Sequence, residues 1–244
     1  MKKTFLLMSG ALLLSATTAL AGGHWSYSGH SGPEHWAGLN PAFSACGNGV
    51  NQSPVNLTNM IQAQLSPIAV NYQKTPMTVL NNGHTIEVKY QNGSTLMVDG
   101  HTYTLKQFHF HTPSENEING KSFPLEAHLV HADTHGNLAV VAVLYKEGAP
   151  NKTIASVWKN MPMSPGTENK SAETVNAADL LPANHDYYRF NGSLTTPPCS
   201  EGVLWIVMKN HPTVSAAQAA KLNKALGFNN NRPVQPLNAR LIMQ

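Results

Sequence analysis

The stretch "QFHFHTPSEN", Gln107–Asn116, and the run "LEAHLVHAD", Leu125–Asp133, decide the fold and the chemistry that we expect of this chain. Both stretches alternate, and in an extended strand residues two positions apart share one face. His109 and His111 therefore point to the same side of one strand, and His128 lies on one face of the other. If the two strands pair antiparallel, the three imidazoles can converge on a single point.

The sequence around these stretches has the pattern of an antiparallel sheet. Asn-Gly, Asp-Gly and His-Gly-Asn turn signals separate apolar or alternating runs from Met77 to Gly148. The sequence predicts a mainly β, α+β protein: a single domain on a large central, mostly antiparallel twisted sheet with a few short peripheral helices. The four runs are "MTVLNNGHTIEVKY", "STLMVDGHTYTLKQFHFH", "FPLEAHLVHAD" and "LAVVAVLYKEG".

Two helices are predicted, over Asn151–Asn160 and Ser215–Leu226. The first carries Ile154, Val157 and Trp158 at helical spacing. The second opens on a capping serine, is rich in alanine and ends just before a glycine.

The segments 24–43 and 231–244 lack the alternating pattern of the middle of the chain. The segment "HWSYSGHSGPEHWAGLNPAF", residues 24–43, is rich in Gly, Ser, Pro and aromatic residues, and it predicts irregular structure lying on the body of the protein. The segment "NRPVQPLNARLIMQ", residues 231–244, predicts an extended stretch that finishes the sheet.

The composition favours a protein that acts on a small molecule. A chain of 244 residues with 41% hydrophobic and 12% charged residues can bury one sizeable core. Its formal net charge of +3 is spread without a basic block, so we expect no nucleic-acid partner.

The first residues have the pattern of a signal peptide. Two lysines precede an apolar stretch from Phe5 to Leu14, and Ala19-Leu20-Ala21 fits a signal-peptidase site. The apolar run is shorter than the roughly 20 residues of a membrane span. We expect residues 1–21 to be removed near Ala21, leaving residues 22–244 as a periplasmic or secreted domain without a membrane span.

Cys46 and Cys199 are the two cysteines of the chain. In an oxidising compartment one disulfide is the economical assignment, and two free thiols are the alternative. Neither cysteine belongs to a Cys-x-x-Cys pair, so we expect no cysteine metal site.

The histidine pattern predicts a zinc site at His109, His111 and His128. Three neutral imidazole nitrogens leave tetrahedral Zn²⁺ with one open position, which is typical of catalytic sites. Gln107 shares a face with His109, and Glu126 shares a face with His128. Each can accept a hydrogen bond from the ring nitrogen that does not bind metal, and this fixes the ring.

A cupin metal site is the alternative for the same motif. "HFHTPSE" fits the His-x-His-x3-Glu pattern, in which Glu115 would be a ligand. Cupin motifs, however, have flanking glycines where this chain has Tyr103 and Ser122.

In these motifs the chain resembles the α-class carbonic anhydrases of the bacterial, exported (periplasmic) type. The resemblance covers nearly the whole mature chain, with matching segments in the family's order. These segments are "HWSY", "NQSPVNL", "LNNGH", "QFHFHTPSEN", "EAHLVH", "GSLTTPPCSEGVLW" and "NRPVQPLN".

The resemblance implies a zinc lyase that hydrates CO2 reversibly to bicarbonate and a proton, through attack by zinc-bound hydroxide. His109, His111 and His128 match the family's zinc ligands. Thr195 matches the threonine that accepts a hydrogen bond from the hydroxide, and Glu115 matches the carboxylate that receives the threonine's proton in a hydrogen bond. Such a pair admits only a zinc ligand that carries a proton.

Further positions match the family's proton path and substrate pocket. His84 matches the proton-shuttle histidine, and Tyr27, Asn82 and Gln107 match residues that order water. The matched substrate-binding positions are Val130, Val140, Leu194, Thr195, Thr196, Val203 and Trp205.

The resemblance also pairs Cys46 with Cys199 and implies binding of anion and sulfonamide inhibitors. A homodimer is compatible with it. The rival hypothesis is a catalytically silent binding module, since carbonic anhydrase-like domains that lose a zinc ligand serve as recognition surfaces. The complete set of matched zinc ligands, with Thr195 and Glu115, favours an enzyme. The other histidines are expected to be structural or surface groups, with His131 buried behind the site: His24, His30, His35, His101, His131, His135, His185 and His211.

Overall fold

The computed structural model describes residues 24–244, and a β-sheet dominates them. The predicted signal peptide, residues 1–21, and its cleavage near Ala21 lie outside the described residues. No helix within residues 24–244 has the length and apolar character that crossing a membrane requires.

The described chain contains short and long strands and a few helices, as predicted. The strands are β1 (Asn56–Leu57), β2 (Ala69–Asn71), β3 (Thr75–Asn81), β4 (Ile86–Lys89), β5 (Thr95–Val98), β6 (His101–His111), β7 (Glu117–Ile118), β8 (Leu125–Ala132), β9 (Leu138–Glu147), β10 (Thr167–Val175), β11 (Tyr187–Ser193), β12 (Glu201–Met208) and β13 (Thr213–Val214). The helices are α1 (Trp36–Leu39), α2 (Ala45–Asn48), α3 (Lys152–Lys159) and α4 (Ala216–Leu226), with 3₁₀ turns at Gly29–Ser31, Pro41–Phe43 and Ala177–Leu180.

The main sheet has the order β10-β3-β4-β6-β8-β9-β12-β11, so β6 and β8 lie near its middle. β5 also pairs with β6 and carries β2, while β13 pairs with β9. Most neighbours are antiparallel, but β12 and β13 pair with β9 in parallel. β1 and β7 form a separate parallel pair. The predicted fold class is confirmed.

The alternation in β6 divides the molecule into two sides. Phe108 and Phe110 are fully buried in the larger core behind the sheet. Burying each such side chain contributes roughly 1.5–3 kcal/mol. A shift of one residue in pairing would turn these rings to the opposite face, so their burial also fixes which face carries His109 and His111.

The two predicted helices are confirmed. α3 is shorter than its predicted range by one residue at each end, because Asn151 and Asn160 are its caps, and α4 is shorter by one residue, because Ser215 is its cap. Asn151 accepts a hydrogen bond from the Ile154 N–H at the start of α3. Ser215 forms a capping box with Gln218 at the start of α4. Gly227 ends α4 with φ of 84°, in the left-handed region where glycine is favoured.

The prediction for the C-terminal segment is wrong in one respect. Residues 231–244 form no strand, and Met243 makes only isolated bridges with Ile61 and with Arg189 of β11. Pro233 and Pro236 have no N–H to donate to a ladder, which explains why the segment runs beside the sheet without extending it.

Cys46 and Cys199 form the disulfide, with a sequence separation of 153 residues. The bridge packs with Trp36 in a small cluster under the N-terminal segment. It ties α2 to the turn after β11, where the Cys199 N–H donates to the Thr196 carbonyl at 2.8 Å.

Replacing both cysteines by serine should lower the free energy of unfolding, by up to about 5 kcal/mol, because a crosslink across a loop this long restricts the unfolded chain strongly. Urea unfolding of the double variant against the oxidised wild type measures the loss. Reduced wild type, with its thiols counted, is the control and should match the variant. Equal midpoints for all three samples would remove the claim.

Candidate metal centre and active site

Adjacent strands bring the three predicted histidines together. His109 of β6 stands directly opposite His128 of β8, and His111 stands opposite Glu126. Among the described residues, His109, His111 and His128 form a group that could hold a metal ion, with one donor nitrogen each and all donors within 4.8 Å of one another. The predicted convergence is therefore confirmed.

Two of the rings are held by the acceptors that the sequence predicted. The His109 Nδ1–H donates to Gln107 Oε1 at 2.8 Å. The His128 Nε2–H donates to Glu126 Oε1 at 2.9 Å. These bonds fix the tautomers, so that Nε2 of His109 and Nδ1 of His128 are left as lone-pair donors.

The third ring is held by a residue that sequence reasoning missed. The His111 Nδ1–H donates to the main-chain carbonyl of Asn230 at 2.7 Å. A main-chain acceptor 119 positions away leaves no mark in the local pattern around His111. The remaining nitrogen, His111 Nε2, is buried and has no hydrogen-bond partner within the described residues.

Burial keeps the three imidazoles neutral. It lowers the pKa of His111 below the ordinary 6.5, and it lowers the pKa of His109 and His128 well below it. Repulsion between the rings adds to the effect at His109 and His128. Three neutral nitrogen donors, one of them buried without a partner, fit the ligand preferences of Zn²⁺.

Glu126 is itself held in place by the loop after β6. Its Oε2 accepts from the Glu115 N–H at 2.7 Å and the Asn116 N–H at 2.9 Å, and its Oε1 accepts from Asn116 Nδ2 at 2.7 Å. Burial raises the pKa of Glu126, and the bonds from Asn116 oppose that shift. Asn116, which the sequence did not single out, thus fixes the carboxylate that fixes His128.

Glu115 is fully buried beside the histidines. Its Oε1 accepts from the Arg232 N–H at 2.8 Å, while Oε2 lies 3.4 Å from His111 Nε2 and 3.9 Å from His128 Nδ1. Burial raises the pKa of Glu115 well above its ordinary value, while the Arg232 N–H and the Thr195 hydroxyl lower it.

Thr195 lies beside that carboxylate, in the turn after β11. It is buried, and its hydroxyl is near enough to Glu115 to affect the carboxyl's pKa. Glu115 Oε2 nevertheless has no hydrogen-bond partner of ordinary geometry within residues 24–244. The structure brings the two residues together, and the hydrogen bond between them stays a prediction.

The predicted apolar residues lie next to the histidines. A row of paired residues crosses four neighbouring strands: Gln107, Val130, Val140 and Trp205. This row lies two residues along the strands from the pair His109 and His128. The Trp205 ring lies 4.9 Å from the His128 ring, edge to face. The five predicted wall residues belong to one cluster on this side of the sheet: Val130, Val140, Leu194, Val203 and Trp205.

A cavity of about 170 Å³ opens in front of the histidines. Seven of the predicted site residues line it: Tyr27, Asn82, His84, Gln107, His109, His111 and Thr196. The Tyr27 hydroxyl is buried without a hydrogen-bond partner in the described chain, whereas the Asn82 Oδ1 accepts from the N–H groups of His84 and Thr85. A larger cavity of about 480 Å³ near His185 and Gln244 contains none of the predicted site residues.

His84 stands in this cavity under the ring of Trp25. The two rings are stacked, with centroids 3.7 Å apart and an interplanar angle of 9°. Burial lowers the pKa of His84, and the proximity of His24 lowers it further. The sequence did not predict the stacking, because it joins the N-terminal segment to a turn some sixty residues away.

The remaining histidines lie apart from the metal group. His131 is fully buried on the opposite face of β8, where its ring bonds the Tyr72 hydroxyl at 2.7 Å and the Ala139 carbonyl at 3.1 Å. This confirms the expectation of a buried, hydrogen-bonded histidine behind the site. His24, His30 and His35 form no group with converging donor atoms in the part of the chain that the structure describes.

Comparison with known proteins agrees with this geometry. A carbonic anhydrase of Neisseria gonorrhoeae is 50% identical over 241 residues, covering 96% of this chain and 95% of that protein. The α-carbonic anhydrase of Thermovibrio ammonificans, solved in complex with the inhibitor sulfanilamide, is 49% identical with a TM-score of 0.90, covering 91% of this chain and 100% of that one. The Photobacterium profundum α-carbonic anhydrase is 50% identical with a TM-score of 0.86, covering 91% and 100%.

The model of the family described as eukaryotic-type carbonic anhydrase matches residues 31–244. This match and the α-carbonic anhydrase structures overturn the cupin alternative, in which Glu115 would be a metal ligand. With the predicted histidines converging on the sheet as they do, the chain belongs to the α-class, or eukaryotic-type, carbonic anhydrase family.

Proposed function

We propose that this chain catalyses the reversible hydration of CO2 to bicarbonate and a proton, with Zn²⁺ held by His109, His111 and His128. The observation that carries the proposal is the convergence of three neutral imidazole donors within 4.8 Å of one another, two of them, on His111 and His128, fully buried. The zinc supplies a positive charge that acidifies a bound water, an effect for which carbonic anhydrase is itself the reference case.

Gln107, Glu126 and the Asn230 carbonyl act by orienting the ligands. Each accepts a hydrogen bond from the ring nitrogen that would not bind the metal. Losing such an acceptor typically costs about 10- to 100-fold in metal affinity or activity.

Glu115 and Thr195 select the protonation state of the nucleophile. In this proposal the positive charge of bound Zn²⁺ opposes the effect of burial and keeps Glu115 ionised. The carboxylate accepts a hydrogen bond from the Thr195 hydroxyl, so the threonine oxygen can only accept a hydrogen bond from the reacting water. The Arg232 N–H supports ionised Glu115 by donating to its other oxygen.

The substrate-binding site lies against the apolar wall. CO2 has no charge and no hydrogen-bond donor, so the side chains of Val130, Val140, Val203 and Trp205 favour it over water. Leu194, Thr195 and Thr196 complete the pocket, and the Thr195 N–H would hold an oxygen of bicarbonate or of an inhibitor. The sulfanilamide complex of the Thermovibrio ammonificans relative supports sulfonamide binding here.

His84 moves the proton from the site to solvent. It lines the same cavity as His109 and is only partly buried, so its imidazole can take up a proton from the site and release it to solvent in each turnover. The same cavity is lined by Tyr27, Asn82 and Gln107, which would order the water molecules between the metal site and His84.

Export of the bacterial type is part of the proposal. The leader pattern over residues 1–21 and the disulfide in the mature domain, residues 22–244, support a periplasmic or secreted protein. The homodimer stays a prediction.

Replacing His128 by Ala should abolish zinc retention and CO2 hydration together, because two donors do not complete the site. Stopped-flow hydration and zinc content per chain measure the two losses. His131→Gln in the same strand is the matched control and should keep one zinc and most of the activity. Hydration by a zinc-free His128→Ala protein would contradict the mechanism.

Replacing His84 by Ala should lower kcat about tenfold or more, since general acid–base groups contribute typically 10²–10⁴-fold. The interconversion of CO2 and bicarbonate, read from kcat/KM, should change little, and imidazole in the buffer should restore part of kcat. An equal loss in kcat and kcat/KM without rescue would assign His84 a structural role instead.

A further inference from the structure

Asn230 connects the metal site with the turn that carries His84. Its main-chain carbonyl accepts from His111 Nδ1, and its side-chain Oδ1 accepts from the Thr112 N–H at 2.9 Å. Its side-chain Nδ2 donates to the Phe110 carbonyl at 2.9 Å and to the His84 carbonyl at 3.1 Å. Asn230 is fully buried, and each polar atom of its side chain is satisfied.

The contact with His84 completes a set of three constraints on that residue. The His84 N–H donates to Asn82 Oδ1 at 2.9 Å, its ring stacks on Trp25, and its carbonyl accepts from Asn230. Asn82 lies in the same turn, and Trp25 lies in the N-terminal segment. Of these three partners, Asn230 is the one that is also bonded to the end of β6, where His111 lies.

We propose that the Asn230 side chain is a positioning residue for proton transfer, which sets the place of His84 relative to the zinc ligands. Its Nδ2 bridges the carbonyls of Phe110 and His84, so a shift of the shuttle turn against β6 would break the part-buried hydrogen bond to the His84 carbonyl. This inference rests on the proposed function and deepens it, because it names what holds the shuttle in register with the site.

The geometry separates two tasks within one residue. The carbonyl that orients His111 belongs to the main chain and persists in any substitution, whereas the link to His84 depends on the amide nitrogen of the side chain. A change confined to that nitrogen should therefore affect proton transfer and spare zinc binding.

Asn230→Asp makes this change with almost no change in size. It keeps an oxygen for the Thr112 N–H but sets another oxygen against the carbonyls of Phe110 and His84. We expect kcat for CO2 hydration to fall about tenfold, a share of the 10²–10⁴-fold that a general acid–base group contributes. We expect kcat/KM to change less than about twofold, zinc content to stay at one per chain, and imidazole buffer to restore most of kcat.

Two further variants keep the test decisive. Asn230→Ala removes the same donor without adding a charge, together with the acceptor of the Thr112 N–H, and should give the same split between kcat and kcat/KM. Leu222→Ala in α4, a fully buried position on the other side of the sheet, controls for lost stability and should leave both kinetic parameters unchanged.

The outcomes are distinct. Unchanged kcat in both Asn230 variants would overturn the inference, as would a parallel loss of kcat, kcat/KM and zinc, or failure of both variants to fold. If the wild type does not hydrate CO2, the proposed function itself fails. If the wild type and His84→Ala behave as expected and the Asn230 variants do not, the inference alone fails.

Discussion

The register between β6 and β8 is the constraint on which the rest of the structure depends. With His109 opposite His128 and His111 opposite Glu126, three imidazoles and the carboxylate that orients one of them share a single face. The same pairing sends Phe108 and Phe110 into the core on the other face. Because side chains alternate with a period of two, a shift of one residue would turn the histidines into the core and the phenylalanine rings to the metal-binding face, so core packing and the metal centre stabilise the same arrangement.

Placing so many polar groups in the interior requires that nearly all of them find partners, since an unpaired buried polar group costs about 1–3 kcal/mol. The loop after β6 donates to Glu126, and the C-terminal segment donates to Glu115 through the Arg232 N–H. The Arg232 guanidinium in turn donates to the carbonyls of Cys46 and Ser53. The disulfide region, the C-terminal segment and the metal centre therefore form one connected network. Within residues 24–244, four buried side-chain polar atoms have no hydrogen-bond partner, and three of them lie at the site: Tyr27 Oη, His111 Nε2 and Glu115 Oε2. The fourth is Arg232 Nε.

The sequence predicted what short-range alternation can encode. Gln107 and Glu126 stand two positions before the histidines they hold, so the strand period alone placed them on the right face. Asn230 and Arg232 could not be found in this way, because each acts over more than a hundred residues through its main chain. The stacking of Trp25 on His84 could not be predicted either, because the two residues are far apart in the sequence. The prediction that the C-terminal segment finishes the sheet is wrong because an extended, proline-containing sequence does not reveal whether its N–H groups donate to a neighbouring strand.

The central claim is that the three-histidine site makes this chain a zinc-dependent carbonic anhydrase. Titrating Zn²⁺ into metal-free mature protein, with stopped-flow CO2 hydration at each step, tests it most directly. The account predicts activity that rises in proportion to bound zinc, stops at one zinc per chain, and is lost on chelation. Full hydration activity in the metal-free protein, or none at one bound zinc per chain, would contradict it.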